Sequence, residues 1–291
     1  MQEESRWRYV LAQQIAPHYH ANPKVAAVLV EGSVALDYAD RSSDIDLAVF
    51  WAEPPTAKER RDIVTRAGGS YRHPSPSHRE AAGWSEHYEL GGAAIDVRHT
   101  TVQATEGILA AVLEHADPSL FKQQRLAALR SALPLVNPPL ITRWQQQAAA
   151  YPHALAVAMV RAHLRFRPAW EQEQLAERHE VLVLYDSFCT AQKHLLLIQL
   201  GLNCLYYPGW RWLDRLIDEM QVTPPNLSRR LKQLFAIVSI DPLASVYQLH
   251  DLIEETFRLV ETHLGEVDTR VARARFRGQR RAGEHAPDGL G

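Results

Sequence analysis

The chain has 291 residues, of which 46% are hydrophobic and 23% are charged, and 32 basic side chains stand against 34 acidic ones. This is the composition of an ordinary globular protein, which excludes a collagen-like, a disordered or a disulfide-stapled chain. The net charge of −2 provides no overall positive field and therefore argues against a nucleic-acid partner. A chain of this length has room for two domains.

Three features predict a cytoplasmic protein without a membrane partner. The segment MQEESRWRYV is charged and lacks the apolar core of a secretion signal. No uninterrupted apolar run reaches the roughly 18 residues that a membrane span requires. Cys189 and Cys204 have no metal-binding spacing, and their apolar helical surroundings predict reduced thiols in the core.

The first predicted element is a helix over residues 3–19, where apolar and aromatic side chains recur at helical spacing. Short apolar runs, and two arms that flank the dipeptide Gly91-Gly92, then predict four strands. These strands cover residues 25–30, 44–51, 84–90 and 93–100. A charged helix over residues 57–67 separates the second strand from the third.

Beyond Thr101 the spacing is helical, and prolines 134, 138 and 139 interrupt it. The predicted fold class is therefore α+β, with a small mixed-sheet domain at 1–133 followed by an all-α helical bundle domain at 140–265. Arginines are concentrated between Arg270 and Arg281, so we predict a flexible basic tail at 266–291.

The residues with the clearest chemistry follow the first strand and begin the second. Gly32-Ser33 comes directly after the apolar run, and Asp44 and Asp46 lie two apart, which on a strand directs both carboxylates to one face. Neighbouring carboxylates repel each other unless a cation lies between them, and hard oxygen ligands suit Mg²⁺. Glycine lets a phosphate approach the backbone, and Ser33 can donate its hydroxyl.

Asp96, between Ile95 and Val97, is a third carboxylate delivered by another predicted strand. Three acids around one or two Mg²⁺ ions suit in-line attack on phosphorus, because the metal activates the attacking hydroxyl and neutralises the leaving pyrophosphate.

A Gly-Ser pair after a strand, an Asp-x-Asp about ten residues later and a distant third acid resemble the motif of the DNA polymerase beta-like nucleotidyltransferase superfamily. Gly32, Ser33, Asp44, Asp46 and Asp96 match that motif over residues 20–100. The layout is similar to the aminoglycoside nucleotidyltransferase-like branch, which adds a C-terminal helical domain. The resemblance implies Mg²⁺-dependent transfer of a nucleoside monophosphate, AMP from ATP or its equivalent from another NTP, to a hydroxyl of a small-molecule acceptor, with an antibiotic as one candidate. It also implies an acceptor site between the two domains.

Further candidates follow from the resemblance and from residue chemistry. Related enzymes use a glutamate as general base, for which Glu86 is the candidate, and a helical-domain lysine on the triphosphate, for which Lys193 is the candidate. Asp186 shares a helical face with Lys193 and can orient an acceptor hydroxyl. The segment 206–212 carries four aromatic residues and one arginine. In this segment Tyr207 and Trp210 can stack on a ring and Arg211 can bind phosphate, although a packing corner explains it equally well.

Two alternatives stay open at the level of sequence. One is a nucleotidyltransferase that acts on RNA or on a protein side chain, with the arginine-rich tail as its weak support. The other is a non-catalytic nucleotide-binding module, against which the retention of Asp44, Asp46 and Asp96 argues. The acceptor, the preferred nucleotide, the general base and the oligomeric state are not defined by these patterns.

Overall fold

A computed structural model of the chain describes residues 1–71, 78–80, 83–211 and 213–278, with the backbone alone at 78–80 and 213. The chain divides into two compact units, Met1–Tyr151 and Pro152–Gly291. The first unit contains the sheet and the second is helical, so the prediction of an α+β protein with a helical C-terminal part is confirmed.

The first unit is built on one mixed sheet of six strands. The strands are β1 Val25–Glu31, β2 Ile45–Trp51, β3 His78–Glu80, β4 Gly83–Leu90, β5 Ala93–Thr101 and β6 Leu133–Val136. In space they follow the order β3-β4-β5-β2-β1-β6. Strands β2 and β5 are parallel, and the other neighbouring pairs are antiparallel. The four predicted strands are all present, whereas β3 and β6 were not predicted.

Helices cover both faces of this sheet. They are α1 Glu3–His20, α2 Gly32–Ala35, α3 Ala57–Arg66, α4 Val102–Leu113, α5 Leu120–Ser131 and α6 Pro138–Ala149. Alternate strand residues, among them Val30, Leu47 and Ile95, form a fully buried core with α1 and α3 on one face. On the other face the Phe50 ring of β2 packs against Trp144 of α6, with the ring centroids 4.9 Å apart.

The boundary between the units differs from the one predicted, because residues 134–151 belong to the first unit. The prolines at the predicted boundary instead lie in the strand β6 and at the start of the helix α6. Strand β6 pairs with β1, and the Asn137 side chain accepts from the amide of Leu140 at the start of α6. Helix α6 is then held by buried Trp144 and by Gln145, whose Nε2 donates to two carbonyl groups at the end of α5.

The second unit consists of helices in its described part. They are α7 His153–His163, α8 Ala169–Glu177, α9 Val181–Leu202, α10 Leu213–Glu219, α11 Leu227–Ile237, α12 Pro242–His263 and α13 Arg270–Arg277. Among the described helices, α9 is long and apolar enough to cross a membrane, with a mean hydropathy of 1.2. Of its most apolar window, 44% is buried within the protein, and a core helix can be equally long and apolar. Cys189 and Cys204 are free thiols but exposed, so their predicted core location was wrong.

The predicted flexible tail is an ordered helix over part of its length. The Phe276 side chain on α13 is only 2% exposed. Arg273 and Arg277 form ion pairs with Glu254 of α12, and Arg273 also pairs with Glu261. The prediction failed because one buried aromatic residue and an acidic partner helix anchor a segment that looks only basic in sequence. Residues 279–291 of the predicted tail lie outside the described residues.

Candidate functional site

One row of polar side chains crosses four neighbouring strands of the sheet. His87 of β4 pairs with Asp96 of β5, Asp96 pairs with Asp46 of β2, and Asp46 pairs with Glu31 of β1. Directly paired residues on adjacent strands direct their side chains to the same face. All four side chains therefore emerge on the face opposite the α1–α3 core.

Three carboxylates converge at the centre of this row. One oxygen each from Asp44, Asp46 and Asp96 lies within 4.8 Å of the other two, and all three side chains are half-buried. Asp44 directly precedes the first residue of β2, so the period of two along an extended chain aligns it with Asp46. The parallel register of β2 and β5 then places Asp96 beside Asp46.

Gly32 allows the closest approach in the site. Its φ of +68° lies in the left-handed region, and a Cβ built on it would lie 2.0 Å from Oδ2 of Asp46. Gly32 begins α2, a helix of a single turn, and the amide of Tyr38 beyond its end donates to the Ser33 carbonyl at 2.8 Å. The absence of a side chain at position 32 is therefore what allows the chain to turn beside the Asp46 carboxylate.

Glu31, the last member of the row, is neutralised by an ion pair. Nε and Nη2 of Arg98 donate to its two carboxylate oxygens at 3.1 and 2.8 Å. Burial raises the pKa of Glu31, but the charge and hydrogen bonds of Arg98 outweigh it, so the pKa is lowered overall. The fourth carboxylate of this face is thus already paired with a cation of the protein.

The donor set of the remaining carboxylates matches a hard divalent cation. Asp44, Asp46 and Asp96 supply only oxygen ligands, which suit Mg²⁺ or Mn²⁺, and their mutual repulsion is relieved when a cation lies between them. The cluster is consistent with the predicted Mg²⁺ site, and these three residues would hold the ion.

The structure does not support Glu86 as a general base at this site. Glu86 pairs with Val97, so its side chain lies on the opposite face of the sheet from Asp96. It is buried in an ion pair with Arg60, whose Nε donates to Oε1 at 3.0 Å, and lies 3.4 Å from Nε2 of His99. Adjacent strand residues point to opposite faces, and this separates Glu86 from the carboxylate cluster.

His87 is the site residue that sequence reasoning missed. Its Nδ1 lies 2.5 Å from Oδ1 of Asp96. The signal was present in the sequence, because a two-residue Gly91-Gly92 turn makes Leu90 and Ala93 partners. Counting back along both arms from that pair reaches His87 opposite Asp96.

The remaining candidates all belong to the helical unit. Lys193 and Asp186 are exposed on α9, and Asp186 lines a groove of about 390 Å³ together with Ser187 and Thr190. Arg211 is exposed. Among the described residues, Asp186 is not part of a group of acidic, histidine or cysteine side chains that could hold a metal ion.

The aromatic segment has a buried and an exposed member. Tyr207 is buried, and its ring lies edge-on to Trp210 with the ring centroids 5.2 Å apart. Trp210 is 42% exposed and lines a groove of about 540 Å³ with Gln192 and Phe235. Tyr207 therefore fits the interpretation of the segment as a packing corner. Trp210 fits the interpretation of the segment as a ligand-binding surface. Trp212 lies outside the described residues.

Comparisons with known proteins add little beyond this geometry. Residues 119–213 match a family described as a domain of unknown function, DUF4037, which is less than half of the chain and extends across both units. Among solved structures, the chain is similar to a nucleotidyltransferase-like protein from Exiguobacterium sibiricum 255-15 at 13% identity. That alignment covers 89% of this chain and 84% of the other, with a TM-score of 0.42. No curated protein matches the chain. At this similarity any statement about activity depends on the site itself.

Proposed function

We propose that the protein is a Mg²⁺-dependent nucleotidyltransferase that transfers a nucleoside monophosphate, AMP from ATP in the simplest case, to a hydroxyl of a small molecule and releases pyrophosphate. The observation that carries the proposal is the convergence of Asp44, Asp46 and Asp96 beside a glycine turn at the end of a buried strand. The motif resemblance supports the same activity.

In this proposal the three carboxylates bind the cation, and the glycine turn binds the triphosphate. When bound, Mg²⁺ supplies the positive charge that acidifies the acceptor hydroxyl and neutralises the leaving pyrophosphate. Asp44 and Asp46 on one chain segment would hold the ion together with Asp96 on the neighbouring strand β5. Gly32 leaves the backbone accessible to the triphosphate, and the Ser33 hydroxyl donates to it.

The reaction exchanges one phosphorus–oxygen bond for another. The acceptor oxygen bonds to the α-phosphorus, and the bond from that phosphorus to the bridging oxygen of the β-phosphate breaks, so that pyrophosphate leaves with the electron pair. The hydroxyl proton passes to a carboxylate of the cluster, for which we propose Asp96.

The acceptor is assigned to the helical unit. Trp210 presents an exposed ring in a groove of that unit, which suits stacking on a cyclic acceptor. Asp186 lines the second groove and can orient a hydroxyl, while Lys193 and Arg211 are exposed cations available to phosphate. An antibiotic is one acceptor class that the resemblance suggests, and a biosynthetic acceptor is another.

The structure weakens the argument for an RNA substrate. Three arginines of the tail helix are already engaged by acids: Arg270 pairs with Asp268, Arg277 with Glu254, and Arg273 with Glu254 and Glu261. Less unpaired charge on α13 is therefore available for phosphates than the sequence suggested. We therefore propose a small molecule, and not RNA, as the acceptor.

Pyrophosphate release tests the proposal. Purified protein is incubated with Mg²⁺, each of the four NTPs and a panel of metabolites and antibiotics, and we expect release that depends on one NTP and one acceptor class. Asp46→Asn should abolish release and, because repulsion within the cluster falls, should raise the melting temperature of the metal-free protein.

Asp62→Asn is the matched control, because Asp62 lies on α3 and pairs with Lys58. This variant should retain full activity. Turnover by Asp46→Asn at the wild-type rate, or the absence of release with every NTP and acceptor, contradicts the proposed function.

A further inference from the structure

We propose that His87 is a positioning residue that fixes the carboxylate of Asp96 for metal binding, an inference that rests on the proposed function. His87 faces Asp96 directly in the β4–β5 pair, and Nδ1 lies 2.5 Å from Oδ1. The register and the hydrogen bond are independent observations, since one belongs to the backbone and the other to the side chains.

The direction of the hydrogen bond follows from the chemistry of its partners. An ionised carboxylate only accepts, so the Nδ1 of His87 carries the hydrogen and donates it to Oδ1 of Asp96. A carboxylate has about four acceptor positions on its two oxygens, and this bond occupies one of them. The others remain available to a cation shared with Asp44 and Asp46.

A difference between the surroundings of Asp46 and Asp96 explains why Asp96 needs such a partner. Asp46 is confined beside the Gly32 turn, where there is no room even for a Cβ atom. Asp96 lies on the β4 side of the row, where its side chain is 34% exposed. Without His87 the Asp96 carboxylate would be free to rotate, and an ordered ligand would become a disordered one. Partners of this kind orient metal ligands in many proteins.

A merely structural role for His87 would give a different signature. The His87 side chain is 55% exposed, so its removal uncovers little apolar surface and leaves no buried group unpaired. We therefore expect substitutions at His87 to weaken metal binding while leaving the melting temperature almost unchanged.

The test measures Mn²⁺ affinity directly, in the absence of nucleotide, by the electron paramagnetic resonance signal of the free ion. His87→Ala and His87→Phe both remove the donor, and the second retains a ring suited to a strand. We expect each to weaken Mn²⁺ binding by about 10–100-fold. His87→Asn retains an N–H close to the position of Nδ1 and should recover most of the affinity.

Ser85→Ala is the control on the same strand and face, two residues away, and should bind Mn²⁺ like the wild type. Wild-type affinity in His87→Ala or His87→Phe, or an Asn variant as weak as these, overturns the inference and leaves the proposed function standing. If the wild type itself binds no Mn²⁺ and releases no pyrophosphate, the proposed function fails and the inference fails with it.

Discussion

Gly32 and Asp46 approach each other so closely that a methyl group on Gly32 would lie 2.0 Å from the Asp46 Oδ2 and 2.9 Å from its Cγ. The glycine turn and the carboxylate are therefore one structural feature, formed because Glu31 at the end of β1 is paired with Asp46 on β2. The same contact links the proposed phosphate-binding turn to the proposed metal site.

The first prediction is that Gly32→Ala abolishes pyrophosphate release and Mn²⁺ binding, because the new Cβ must displace the Asp46 carboxylate. Gly91→Ala is the matched control: Gly91 has a similar φ of +59° but no atom within 4 Å of a built Cβ. In both variants an alanine must adopt the left-handed conformation, which costs roughly 1–2 kcal/mol of stability. Activity should be lost only in Gly32→Ala, and equal losses in both would contradict the close-approach argument.

The second prediction separates stability from catalysis at Glu86. Glu86→Gln removes the charge that pairs with buried Arg60, so we expect a loss of about 3–5 kcal/mol in the free energy of unfolding. The kcat of the folded fraction should remain at the wild-type value, because Glu86 lies on the opposite face of the sheet from Asp96. Urea unfolding and steady-state kinetics check the two parts. A large fall in kcat at unchanged stability would restore Glu86 as the general base.

The third prediction concerns the pH dependence of stability through His250. Burial lowers the pKa of His250 from 6.5 to about 4, despite the opposing charges of Asp251 and Glu254. At pH values between these two pKa values, His250 is protonated in the unfolded chain and neutral in the folded chain. The neutral His250 side chain therefore contributes to the free energy of unfolding in full above pH 6.5. This contribution is lost progressively as the pH falls towards 4, by about 3 kcal/mol in total.

His250→Gln should flatten the stability curve over that interval, measured as the free energy of unfolding in urea at several pH values. Burial also lowers the pKa of His163 to about 4. Part of the pH dependence of stability therefore remains in both proteins. The exposed His115 provides the control, since His115→Gln should reproduce the wild-type curve. Parallel curves for wild type and His250→Gln would show that His250 titrates alike in both states.

The fourth prediction concerns the tail helix. Phe276→Ala should cost about 3–5 kcal/mol of unfolding free energy, because the ring is buried against Phe257 and Phe166. Arg275→Ala, at an exposed position on the same helix, should be nearly neutral. Thermal melts of the two variants decide between an integral helix and a flexible tail. Equal melting temperatures would favour the tail.

Sequence patterns predict the features of this protein that depend on short-range periodicity. The period of two along a strand aligns Asp44 with Asp46, and the apolar runs coincide with β1 and β2. The Gly91-Gly92 turn located the hairpin. These patterns are local because side-chain direction along one element follows from backbone geometry alone.

Contacts between residues on different elements depend on the tertiary fold and are not contained in any local pattern. Pairing between strands distant in sequence placed Asp96 beside Asp46 and assigned Glu86 to the buried face and His87 to the site. A shift of one residue exchanges the two faces of a strand, so a candidate chosen by residue type alone is wrong whenever its register is unknown. The tail helix α13 was missed for a related reason, because its order comes from contacts with acids on α12 that no local pattern contains.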